Sequence, residues 1–147
     1  MQSLLVGDYK CRVSSVLNKQ TKEYGKENLF DKSEETCWNS HQGTPQFIVI
    51  QFPQENGVTL SSVNIMFQGG FVGKDCEILT MSTNSDSKEF IHSCYFYPKD
   101  INTTQQFPID SIKNTNIKQI KILFPQSTDF FGRITIYQLD ILGEPTL

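Results

Sequence analysis

Glu34, Glu35, Cys37 and His41 crowd one polar stretch, with Asp31 just upstream, and these side-chain types suggest three kinds of chemistry. A thiol beside an imidazole is half of a nucleophile, neighbouring carboxylates are the raw material of a glycosidase, and an Asp with hydroxyls on one turn suits a hard cation. The first fails on spacing, because cysteine nucleophiles draw their histidine from a distant segment, whereas Cys37 and His41 share one loop and Cys37 adjoins Trp38. His92, the other histidine, stands in no Ser, Cys or acid constellation. The second fails on setting, since Asp31, Glu34 and Glu35 lie on one polar turn without the apolar surroundings that raise a catalytic carboxyl. Calcium at Asp31 and Thr36 is the sharpest of the three, and it competes with a turn that satisfies its own backbone through Asp31, Ser33 and Thr36.

Cys11, Cys37, Cys76 and Cys94 form none of the close pairs that zinc sites or redox motifs need, so free thiols in a reducing compartment are expected. Gly69, Gly70 and Gly73 lack the Gly-Lys-Ser/Thr ending of a phosphate loop and are expected to form a turn. The net charge of −3 with scattered lysines omits the basic footprint of a nucleic-acid binder. No apolar run approaches the roughly 20 residues that span a bilayer, and the N-terminus lacks a basic region followed by an apolar block, so a soluble chain is expected.

A second loop, STDFFGR at residues 127–133, sets two phenylalanines between Asp129 and Arg133. Either Asp129 and Arg133 pair while the phenyl rings close one end of the fold, or an exposed Phe130 or Phe131 beside Arg133 makes an anchor of the kind enriched at protein interfaces.

The elements that hold these loops read as strands. The chain has 147 residues, 11 of them Phe and none Ala, a composition that favours strands over long helices. Period-2 alternation predicts strands at residues 12–17, 46–52, 58–68, 76–82, 90–97, 103–109, 117–124 and 133–142. In the last, Ile134 and Ile136 are out of phase with Leu139 and Ile141, which predicts a β-bulge near Tyr137 and Gln138. Residues 18–28 read as a loop, with one helical turn at 27–30, 83–88 as a hairpin turn, and the four residues from Glu144 as leaving the sheet. Trp38, the lone tryptophan, is expected to plug one end of the core. The sum is one all-β domain over residues 1–147 with its core at about 10–144, an antiparallel sandwich or jelly roll.

LFDKSEETCWNS followed by a strand, then FQGGF, FYPKD and TDFFGRITIYQLDILGE, resembles a family of small nuclear-receptor-associated proteins that repress a testicular orphan receptor, over residues 12–144. That family belongs to the discoidin-like, coagulation-factor V/VIII C-type group, and the resemblance implies its galactose-binding-like jelly roll. It further implies a non-enzymatic protein-interaction module of the cytoplasm and nucleus, a transcriptional co-regulator whose partner is a nuclear receptor. Two loops are also similar to the Doc subunit of the anaphase-promoting complex: Thr36 to Ser40 to its turn before a strand, and Asp129 with Arg133 to its peptide-binding loop. Carbohydrate-binding members of the group hold calcium at the turn matched by Asn28, Asp31, Ser33 and Thr36, where the last strand offers neutral Gln138 in place of a Glu. Peptide binding and lectin-like sugar binding are the alternatives, and sugar is the less favoured because Trp38 is expected inside. The expected partner-binding end comprises His41, Gln42, Gln68, Phe71, Asp129, Phe130, Phe131 and Arg133 on a monomer, with no cofactor expected and calcium the one alternative.

Overall fold

In the computed structural model, which describes residues 1–84, 86 and 88–147, twelve strands follow one another among the described residues. They are β1 (Gln2–Ser3), β2 (Lys10–Val13), β3 (Trp38–Asn39), β4 (Gln46–Gln51), β5 (Val58–Phe67), β6 (Gly73–Lys74), β7 (Cys76–Ser82), β8 (Ile91–Phe96), β9 (Gln105–Pro108), β10 (Ile117–Phe124), β11 (Gln126–Ser127) and β12 (Thr135–Pro145). One wall runs β9–β5–β12, with β12 flanked beyond by β1 and β3; the other runs β2–β4–β10–β7–β8. Every pairing is antiparallel, and the single bridge Ile117 to Val58 ties the walls together. The all-β jelly-roll expectation holds.

Alternation explains the core. Ile48 and Ile50 of β4, Val63, Ile65 and Phe67 of β5, and Ile120, Ile122 and Phe124 of β10 are fully buried. Each such side chain removed from water contributes about 1.5–3 kcal/mol, before chain entropy is set against it. On β12 the register shifts between Ile136 and Gln138, the bulge expected there, and the shift turns both Ile136 and Ile141 inward. Trp38 is buried, with its ring 6.4 Å from that of Phe124, which in turn meets Phe67 edge-on at 6.0 Å. The indole N–H donates to the Ser15 carbonyl at 2.9 Å, so the plug is satisfied at its polar end.

Four expectations need correction. The first strand covers Lys10–Val13 and stops before Ser14, where the Ser14 hydroxyl rather than its carbonyl accepts the Phe47 N–H at 2.9 Å. Residues 18–28 are not a plain loop: they contain helix α1 (Thr21–Tyr24), flanked by 3-10 turns at Leu17–Lys19 and Lys26–Leu29. These single turns bury too little of one face to show a 3.6-residue period. At the C-terminus, Glu144 and Pro145 still pair with Thr59 and Val58, and the Thr146 N–H donates to the Gly57 carbonyl. Proline at a strand end forfeits one donor, which the next residue supplies. Finally, the core begins before residue 10, since Leu4 is buried behind β1. The β7–β8 hairpin is present; Ser85 and Ser87 of its expected turn lie outside the described residues.

Candidate functional site

Three connections meet at one end of the sandwich: residues 40–45 before β4, 68–72 after β5 and 128–134 before β12. Main-chain bonds join them, together with the hydroxyls of Ser40 and Thr128, which accept the N–H groups of Ile134 and Val72. The Gly43 N–H donates to the Phe131 carbonyl at 2.8 Å, and the Thr128 N–H to the Val72 carbonyl at 2.8 Å. Gly132 has φ +79°, and a Cβ there would lie 3.0 Å from the Gly43 Cα, so only glycine lets these two loops close.

Within the last connection, Asp129 and Arg133 form a closed unit. Arg133 Nε donates to Asp129 Oδ2 at 2.8 Å, Nη2 to Oδ1 at 3.2 Å, and the Arg133 backbone N–H to Oδ2 at 3.1 Å. These bonds from Arg133 hold the Asp129 carboxyl below the usual carboxylate range. The guanidinium lies over two rings, 5.0 Å from the centroid of Phe71 and 5.6 Å from that of Phe131. Ser127 Oγ donates to the Arg133 carbonyl and accepts the Asp129 N–H, fixing the turn at its base.

The phenyl rings point outward. Phe130 is 93% exposed and Phe131 53% exposed, meeting edge-on at 5.3 Å. Of the two readings of this loop, the ion pair of the architectural one is present, while the rings do not close the sandwich end. Rings presented in this way on a locked backbone have little conformational freedom to lose on contact.

His41 and Gln42 are exposed beside this unit, and Gln68 and Phe71 are half-buried. Gln68 acts through its backbone, donating to the Thr135 carbonyl at 2.9 Å and accepting from the Phe71 N–H at 3.0 Å. Asp100 and Asn102, which sequence reasoning passed over, brace the same end: their side chains accept the N–H groups of Gly70 and Gly69, each at 2.7 Å. Gln46 was also missed, and it is the hinge pin of the first loop. Its Oε1 accepts from Ser14 Oγ and Ser15 Oγ, and its Nε2 donates to the carbonyls of His41 and Gly43. A signal existed, since Gln46 shares the inward phase of Ile48 and Ile50. A polar side chain on a core phase must find partners, and all four of its bonding positions are filled.

The turn considered for calcium is occupied with its own chain. Asp31 Oδ1 accepts the Ser33 N–H at 3.0 Å, Asp31 Oδ2 accepts the Thr36 hydroxyl, and Ser33 Oγ accepts the Glu35 N–H. Asn28 offers Nδ2, a donor, to the carbonyls of Glu23 and Cys37 at 2.9 and 3.0 Å. An amide N–H in contact with those carbonyls stands where a cation would have to compete, and Gln138 on β12 brings no charge. The residues present do not fit a calcium centre. Burial raises the Cys37 thiol, the opposite of the activation a nucleophile needs.

No family model matches the chain. Curated relatives do: the zebrafish (Danio rerio) protein called nuclear receptor 2C2-associated protein is 47% identical over 146 residues, covering 99% of both chains. The human protein of the same name is 42% identical over 143 residues, covering 97% of this chain and 96% of its own. Among solved structures, an F5/8 type C domain from Bacteroides fragilis superposes with a TM-score of 0.77 at 14% identity, covering 95% of this chain and 93% of that one. A Clostridium perfringens CBM32 module in complex with GalNAc-β-1,3-galactose gives 0.76 at 15% identity, covering 97% of this chain and 100% of that one. At such identities the structural likeness shows the fold alone, whereas near-full-length identity above 40% shows descent, and the chain belongs to the family of nuclear receptor 2C2-associated proteins.

Proposed function

We infer that this chain is a non-enzymatic module that binds another protein through the end built from His41–Gly43, Gln68–Phe71 and Asp129–Arg133. The observation that carries the reading is Phe130, an aromatic ring 93% exposed on a loop whose backbone is fixed from both sides. Solvent exposure of a large apolar ring is a standing cost that a partner relieves, and Arg133, stacked on the adjacent Phe131, supplies the polar neighbour typical of binding hot spots.

The names of the relatives supply the candidate partner, a nuclear receptor, and to it we add, as a proposal that those names do not state, a role as a monomeric co-repressor acting in the cytoplasm and nucleus. Direct contact with DNA forms no part of this role, given the acidic balance of the chain. The test is binding of the purified chain to immobilised nuclear receptor 2C2, followed by interferometry. Saturable binding that Phe131→Ala weakens at least about tenfold supports the reading. A receptor surface that takes up none of the chain sinks the receptor assignment, and binding indifferent to Phe131→Ala sinks the site. Sugar recognition, the habit of the structural neighbours, is judged by the same chain on a glycan array. Trp38, the natural stacking platform, is buried and out of reach of a saccharide.

A further inference from the structure

The outer face of the wall β2–β4–β10–β7–β8 carries a second surface, unlike the loop end in chemistry. Registers place its side chains directly. Outward-facing Val49 on β4 lies opposite Lys121 of β10 on one side and Arg12 of β2 on the other. Lys121 in turn lies opposite Leu79 of β7, and Phe47 opposite Leu123. Lys121 Nζ is 4.7 Å from the Phe47 centroid and 5.9 Å from that of Phe90, while the Arg12 guanidinium is 5.6 Å from Phe47.

Val49 is only 2% exposed although it points away from the core, so the apolar surface this face offers is that of its half-buried neighbours Phe47, Leu79 and Leu123. The result is an apolar floor rimmed by ammonium and guanidinium groups. Among the outward positions of these strands Glu77 is the single carboxylate, beside the cations Lys10, Arg12 and Lys121 of the same face, and it lies 2.7 Å from His92 Nδ1. Among the described residues, neither Lys121 nor Arg12 has a carboxylate within ion-pair distance. A cationic face on a chain of net charge −3 runs against the overall balance.

We propose that this face binds a protein segment in which carboxylates alternate with apolar side chains, the apolar groups over Phe47 and Leu79 and the carboxylates on Arg12 and Lys121. Charge complementarity selects the occupant: a basic segment would be repelled and a purely apolar one would leave two cations without acceptors. The surface runs from the Phe47–Leu123 row, next to the first loop, toward Gln51, so an occupant here and a partner on Phe130 contact different side chains. The module would then join two proteins, and its two sites would respond differently to salt.

The experiment uses a fluorescein-labelled peptide of about 12 residues alternating Glu with Leu and Phe, and an analogue with every Glu replaced by Gln, titrated with the full chain at low and moderate salt. The Glu peptide is expected to bind at least about tenfold tighter than the analogue, to weaken as salt rises, and to lose about tenfold on Arg12→Glu with Lys121→Glu. Phe131→Ala is expected to leave it unchanged. If the charge-reversed variant melts early, amide shifts in the unaltered protein decide, and they should centre on Phe47, Leu79 and Lys121. Equal binding of the two peptides, shifts centred on residues 129–133, or no binding of the Glu peptide at about 1 mM would each overturn the proposal.

Discussion

The side-chain amide of Gln46 donates to the Gly43 carbonyl at 2.7 Å, while Gly43's own N–H donates to the Phe131 carbonyl at 2.8 Å. A buried strand residue is thus linked to the exposed phenylalanine loop through one glycine. Gln46→Ala removes all four bonds of that amide and leaves the hydroxyls of Ser14 and Ser15 and two carbonyls to find new partners. We expect a loss of about 2–4 kcal/mol in urea unfolding and, in the folded fraction, weaker partner binding. A change under about 0.5 kcal/mol would show that water replaces the amide at no cost.

The Asp129 carboxyl is held low by the Arg133 guanidinium. Its folded value therefore lies below its unfolded one, and the stability it contributes is complete above the ordinary Asp range near pH 3.9 and lost as pH falls through the folded value. Asp129→Asn should lower stability at pH 7 and flatten its decline between about pH 5 and pH 2. Parallel acid limbs for the two proteins would contradict the pair.

Calcium should change little. Asn28 donates to two carbonyls at the turn, and the Asp31 carboxylate is bonded by Ser33 and Thr36. Adding about 5 mM Ca²⁺ is expected to move the melting temperature by less than about 1 °C, because an ion that does not bind the folded state cannot stabilise it. A rise of many degrees would overturn this reading of the turn.

The thiols should be sluggish. Burial pushes Cys11 up to about 12 and drives Cys37, Cys76 and Cys94 upward as well. Thiolate is the reactive form, so the native protein should react slowly with Ellman's reagent at pH 8 and fully once unfolded in guanidinium. Rapid stoichiometric labelling of one cysteine in the native state would mark an activated thiol.

Long alternating runs made the walls legible: residues 117–124 and 76–82 announced β10 and β7 because each buries one face only. The bulge on β12 was legible for the same reason, since two apolar phases in one strand have no other resolution. What the sequence concealed depends on partners far along the chain. Gln46 meets Ser14 and Ser15 across 32 and 31 positions, and Asn102 reaches Gly69 across 33, so no local pattern carries either contact. Exposure of Phe130 was equally hidden, because two adjacent phenylalanines suit a buried cap as well as a presented edge. The backbone bonds from Gly43 and Arg133 decide it. The outer face of the second wall escaped notice because Arg12, Val49, Leu79 and Lys121 come from four strands and become neighbours only through register.

The central claim, that the Phe130–Phe131 loop is the partner-binding surface, is tested most directly by quantitative affinity purification from the cell in which the protein is made, comparing the natural chain with Phe130→Ala/Phe131→Ala. Both rings are largely in solvent, so the melting temperature should hold, with a stability change within about 0.5 kcal/mol per site. The expected result is that the main partner falls at least about tenfold in recovery while the melting temperature is unchanged. An unchanged set of partners recovered by an equally stable double variant would contradict the account.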